Sequence, residues 1–197
     1  MTIKSQDIRI TKTRMALSIT LMELLEKKSF RKITVNDICQ NAMVSRSTFY
    51  MHFEDKYQLM LFCLQMERQR LYETAQNMDL QSHFKMVLTL IYERKKVFYN
   101  FLRADLDMEL FDMFKNFFHN YITDILNLIE QQGVKLPGPI PILAVYYASG
   151  LTGIFIWWIE QDFSASIDEM AACVYNLLVD IIPDKENESL DAMTNQP

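Results

Sequence analysis

Glycine is scarce in this chain, with 4 among 197 residues, and proline adds only 5. A fold of short strands and tight turns needs far more of both, so the composition argues against sheets and for long helices. Leu, Met, Glu, Lys and Phe are abundant, and the reading is an all-α fold of about nine helices. Cysteine is also rare. Cys39, Cys63 and Cys173 lie far apart in apolar helical patterns, which excludes a disulfide framework and the paired spacing of a zinc site. Buried thiols of this kind fit a reducing compartment. The first residues, MTIKSQDIRITKTR, lack the apolar core of a signal peptide, so a cytoplasmic protein is expected. There is no nucleophile elbow, phosphate loop, metal-ligand spacing or carboxylate pair in a clear context, so no enzyme and no cofactor are expected.

Acidic charge is sparse in one part of the chain. Residues 1–70 hold 12 Lys or Arg against 7 Asp or Glu, a balance of +5, whereas residues 71–197 hold 8 against 18, a balance of −10. A basic head on an acidic body implies that only the head meets a polyanion. Charge of either sign is missing from Pro139 to Ile159, PIPILAVYYASGLTGIFIWWI. That run is long enough to span a bilayer, which takes about 20 residues. Two early prolines, a single flanking cation at Lys135 and the acids Glu160 and Asp162 speak instead for a helix buried at a subunit interface, with no membrane partner.

Along the chain, residues 9–27 read as a first helix with Leu17, Leu21, Leu24 and Leu25 on one side. In TVNDICQNA, Thr34 can cap a second helix, with Asp37 in its first turn, ending near Ala42. Met43 and Val44 form a tight joint before Ser45, which caps a third helix. Val44, Phe49 and Phe53 then point to a core, while Arg46, Ser47, Tyr50 and Met51 share the opposite face. A fourth helix starts near Asp55 with Tyr57, Leu61 and Leu64 as its buried line. Helical patterns follow at about 82–101 and 105–131. Gly133, Pro137, Pro139 and Pro141 then break the chain before the uncharged helix. A last helix, at about 166–182, is entered through Ser166 with Asp168 and Glu169. The expected organisation is a head at 1–60, a helical body at 61–182 and a disordered polar tail at 183–197.

Two short helices joined tightly after a longer one are the parts of a helix-turn-helix, whose second helix lies in the major groove. Arg46 could be bidentate to guanine, Ser47 and Thr48 can reach bases or phosphates, and Tyr50, His52 and Lys56 can donate to phosphate oxygens. The run ITVNDICQNAMVSRSTFYMHFEDKYQL resembles the N-terminal domain of TetR-type bacterial transcription regulators: a capped second helix, an Ala-Gly-Val-Ser turn and a Tyr-x-His-Phe-x-x-Lys exit. The resemblance covers about residues 9–60. It implies backbone contacts to double-stranded DNA from Thr34, Tyr50, His52 and Lys56, and base-region contacts from Ser45, Arg46, Ser47 and Thr48. Met43 stands where that family's turn has glycine.

The C-terminal half resembles the family more loosely, in YASGLTGIFIWWIEQDF followed by an acid-led helix, which looks like a dimer-forming pair. The expected homodimer interface takes in Tyr147, Gly150, Ile154, Phe155, Trp157, Trp158 and Tyr175. A subset of the apolar residues between head and interface, Phe101, Met108, Phe111, Phe114 and Phe118, with the polar Arg103 and His119, is expected to line a pocket for a small, largely apolar effector. The resulting expectation is a dimeric, sequence-specific transcription regulator, a repressor released from its operator by the effector. The alternative is a regulator or adaptor of the same fold controlled by a protein partner.

Overall fold

The computed structural model describes the backbone of residues 3–102 and 108–179 and the side chains of 8–101 and 108–178. Arg103 and the tail at 183–197 lie outside the described residues. Those residues form α1 (Ile3–Leu25), a 3₁₀ turn (Phe30–Lys32), α2 (Val35–Asn41), α3 (Arg46–Tyr50), α4 (Lys56–Ala75), α5 (Leu80–Glu93), α6 (Lys95–Leu102), α7 (Met108–Gln131), α8 (Ile140–Glu160) and α9 (Ile167–Val179). No strand occurs among them, as the shortage of glycine and proline implies.

Side-chain caps explain where many of these helices start. The Thr34 hydroxyl accepts from the Asp37 N–H at 3.1 Å while the Asp37 carboxylate accepts from the Thr34 N–H at 2.8 Å, closing a reciprocal box at α2. Ser166 and Glu169 repeat it at α9, with bonds of 2.9 and 3.2 Å. Ser45 caps α3 through the Thr48 N–H, and Asp55 and Asp79 accept from Gln58 and Ser82 at the starts of α4 and α5. After α7, Gly133 takes φ 86, the left-handed residue that ends a helix cheaply.

The described residues divide into two compact units, one within 3–70 and 90–117 and the other within 71–89 and 118–179. In the first, Leu17, Leu21 and Leu25 of α1 meet Phe30, Ile33, Ile38, Phe49, Phe53 and Leu59 in a core with almost no exposure. Each such side chain contributes about 1.5–3 kcal/mol by leaving water. Arg14 lays its guanidinium over the Phe62 ring at 4.2 Å and near Phe53 at 5.2 Å, tying α1 to α4. Helix α6 joins the same unit: the Asn100 amide donates to the Leu25 carbonyl at 2.8 Å, and the Phe101 ring stands 6.3 Å from Phe30.

Two details depart from the sequence reading. Leu61 is 42% exposed rather than buried, and Leu59 and Met60 take its place in the core. The helical pattern at 82–101 is two helices, broken at Arg94, whose carbonyl accepts from the Val97 N–H at 2.9 Å and so begins α6. No glycine or proline marks that break.

In the second unit, Phe84 and Leu88 of α5, Tyr121 to Ile129 of α7 and the inner faces of α8 and α9 enclose the core. Helix α8 is long and apolar enough to cross a membrane by length and composition. Its Ala144, Ala148, Thr152, Phe155, Trp158 and Ile159 face is buried within the chain. The turn after it holds Asp162 and Phe163 at φ 53 and 59, left-handed without glycine. That strain is offset by burial of Phe163 against Trp158, with centroids 4.9 Å apart, and by a 2.8 Å bond from the Phe163 N–H to the Trp158 carbonyl.

Candidate nucleic-acid interface

Helix α3 is only five residues long, and its orientation comes from its neighbours. Phe49 is fully buried, with its ring 5.9 Å from Phe53, so the opposite side of the helix must face solvent. Arg46 and Ser47 are exposed there, Tyr50 is half exposed, and Met51 follows at 73%. The Arg46 guanidinium lies 6.0 Å from the Tyr50 ring centre, at the outer limit of a cation–π contact.

Beside them is a group of hydroxyls. Ser45 Oγ lies 2.9 Å from Ser47 Oγ and 2.8 Å from Thr48 Oγ1, while accepting the Thr48 N–H. With two lone pairs and one proton on Ser45, that geometry leaves one hydroxyl proton of Ser47 or Thr48 for an external acceptor. His52 is half-buried at the exit of α3.

Two residues expected to grip phosphate are already committed inside the protein. The Lys56 ammonium donates to the carbonyls of Phe30, Arg31 and Ile33 at 2.9, 3.2 and 2.9 Å, and sits 4.6 Å from the Phe30 ring. All three of its N–H bonds are used. Lys56 thereby clamps the start of α4 to the 3₁₀ turn instead of reaching outward as a free cation. The Thr34 hydroxyl both accepts from Asp37 and donates to it at 2.8 Å, so its proton is spent on the cap. Lys28 completes this corner at 2.9 Å from Asp37. The Lys28 ammonium, then the Thr34 N–H and hydroxyl, hold the Asp37 carboxyl down at about 2.

The effector candidates separate on burial. Phe101 and Phe114 are buried with rings 5.9 Å apart, and Phe118 is buried against Phe155 at 5.7 Å. Phe111 and His119 are half-buried and Met108 is 68% exposed. His83, absent from the expected site residues, is fully buried with its Nε2 2.8 Å from the Tyr121 hydroxyl. Its Nδ1 is 3.4 Å from Thr74 Oγ1, whose own proton goes to the Leu71 carbonyl. The consistent assignment puts the imidazole proton on Nδ1, with Tyr121 donating to Nε2. Burial holds the imidazole down at about 4 and pushes the Tyr121 phenol up. Nothing local flags the pair, because its members are 38 residues apart.

On the expected interface, Tyr147, Ile154 and Tyr175 are half-buried, and Gly150 and Trp157 are exposed. Phe155 and Trp158 are not available to a partner, contrary to the sequence reading. Phe155 packs on Phe118, and the Trp158 indole is fully buried with its N–H on the Ala165 carbonyl at 2.9 Å. The outer side of α8 instead carries Ile142, Val145, Tyr146 and Trp157, exposed by 66, 58, 71 and 47%, with the exposed Ser149, Gly150 and Gly153 between them.

A capped, tightly joined helix pair with an exposed donor-rich second helix defines a helix-turn-helix DNA-binding protein. Family comparison is in accord. Residues 20–62 match the family described as bacterial regulatory proteins of the tetR family, and residues 78–180 match a transcriptional regulator C-terminal region of the same group. The chain belongs to the TetR family of bacterial transcription regulators. It is a DNA-binding regulator and not an enzyme. Among curated proteins, the uncharacterized HTH-type transcriptional regulator YxbF of Bacillus subtilis (strain 168) is 35% identical over 63 residues, 32% of this chain but only 17% of that protein's length.

Among solved structures, the dihydroxyacetone kinase operon activator DhaS superimposes with a TM-score of 0.64 at 18% identity, covering 86% of this chain and 96% of that one. A TetR transcriptional regulator from Streptococcus agalactiae 2603V gives 0.61 at 22% identity, covering 89 and 98%. Thermus thermophilus FadR, a repressor solved with lauroyl-CoA, gives 0.57 at 19% identity, covering 84 and 93%. At these identities the likeness is one of fold.

Proposed function

We propose that this regulator works in the cytoplasm as a homodimer that occupies a pseudo-palindromic operator, represses transcription, and is released by a small, largely apolar effector. The observation that carries the dimer is the outer side of α8, where Ile142, Val145, Tyr146 and Trp157 stand in water around Ser149, Gly150 and Gly153. Large apolar side chains flanking small residues suit close approach of a two-fold copy. A two-fold pair would set two α3 helices about 34 Å apart, one turn of duplex DNA.

On each half-site, Arg46, Ser47, Thr48 and Tyr50 read or brace the groove, and His52 meets the backbone. Thr34, Ser45 and Lys56 act through the caps and clamp that set the angle of α2 and α3. Effector control is supported by α6, which shares one compact unit with the helix-turn-helix and touches α1 and the 3₁₀ turn of that unit through Asn100 and Phe101. A ligand that moves α6 would therefore reach the DNA head, and a coupling of about 1–3 kcal/mol is enough for induction.

The test is selection of binding sites from random duplexes with the full-length protein, followed by binding to the selected site across a salt series. An inverted repeat bound by two chains, with affinity falling steeply as salt rises, is expected. A direct single site bound by one chain would refute the dimer, and equal binding to all duplexes would refute operator recognition.

A further inference from the structure

Met43 occupies the position in the helix-turn-helix where a side chain is least welcome. Its N–H bonds to the Gln40 carbonyl at 3.3 Å, and the Val44 N–H bonds to the Cys39 carbonyl at 3.0 Å. This paired closure of α2 requires a left-handed residue between them, and Met43 has φ 54. Glycine adopts that conformation without steric cost, whereas methionine is strained there. The chain itself uses glycine in the same device after α7: the Gly133 N–H bonds to Glu130, the Val134 N–H to Ile129, and Gly133 has φ 86.

Folding alone gives no reason for the thioether at position 43. Met43 is 93% exposed, so its side chain has no hydrophobic burial to offset the strain. It does stand three residues before Arg46, at the N-terminal end of α3. That is the end of a recognition helix that meets base edges. Strained backbone conformations cluster at sites of binding and catalysis. A long, flexible apolar side chain in a major groove has one apolar base feature to read, the 5-methyl group of thymine.

We propose that Met43 is a specificity-determining residue, its side chain covering a thymine methyl group in each operator half-site. The proposal rests on the assignment of α3 to the major groove. It adds an apolar element to a face otherwise composed of hydroxyls, a guanidinium and a phenol.

Replacing thymines of the selected operator one at a time by deoxyuridine removes only the methyl group. One thymine per half-site should be found where this change weakens wild-type binding about fourfold, the factor expected for one buried methyl. The Met43→Gly protein should bind the thymine and deoxyuridine duplexes equally, and its own selected site should lose the thymine preference there. Its melting temperature should rise, since the strain is relieved, so the lost preference could not be blamed on unfolding. Equal deoxyuridine effects on both proteins, with an unchanged selected site, would overturn the role of Met43. A wild-type protein that selects no site would overturn the interface assignment itself, a separate failure.

Discussion

Lowering the pH from 7 to 5 should destabilise this protein through one residue, His83. The imidazole is fully buried and is held at about 4, against an ordinary value of 6.5. Its folded-state value lies below its unfolded one, so the unfolded chain binds the extra proton first. Stability from this group is fully present above about pH 6.5 and is lost progressively as the pH falls toward 4. With those two values, linkage gives a loss of about 2 kcal/mol between pH 7 and 5. The assay is urea unfolding at the two pH values and one fixed protein concentration, since a dimer's apparent stability depends on concentration. The matched control is the double variant His83→Phe with Tyr121→Phe. It removes both ends of the 2.8 Å bond, so neither a lone acceptor nor a lone hydroxyl is left buried. The double variant should lose about 2 kcal/mol less than the wild type over the same interval. Equal losses in the two proteins would refute the neutral, buried His83. Below about pH 4 a second loss should begin as Asp37, held at about 2 by Lys28 and Thr34, takes up its proton and releases the α2 cap.

Lys56→Met should lower stability by about 1–3 kcal/mol, because three carbonyls lose a charged donor, while leaving the salt dependence of operator binding almost unchanged. A salt slope that falls by about one would show instead that the ammonium leaves its carbonyls for a phosphate. Tyr146→Glu combined with Trp157→Glu places like charges across the proposed two-fold contact. Sedimentation should then find a monomer with weakened operator binding, and a persistent dimer would place the interface elsewhere.

Much of the helix framework was legible because it depends on partners three or four residues apart. Thr34 with Asp37, Ser45 with Thr48 and Ser166 with Glu169 are read directly from spacing, and each start appears where its cap stands. The inward turn of Phe49 and Phe53, with Arg46 and Tyr50 outward, is likewise a matter of helical period. The break at Arg94 was not legible, since no residue there forbids helix. Nor could spacing tell that Leu59 and Met60, rather than Leu61, turn inward on α4.

Composition and periodicity by themselves determined an all-helical chain, its caps, its donor-rich third helix and an uncharged helix long enough to need an explanation. Tertiary structure decided which polar groups remain available and which apolar ones are consumed. Lys56 looked like a free cation until a loop 23 to 26 residues earlier supplied three carbonyls. Trp157 and Trp158 are neighbours in an evenly apolar helix, yet one is 47% exposed and the other wholly buried. Where every face of a helix is apolar, hydrophobicity cannot choose the inner one, and only the shape of what packs against it does.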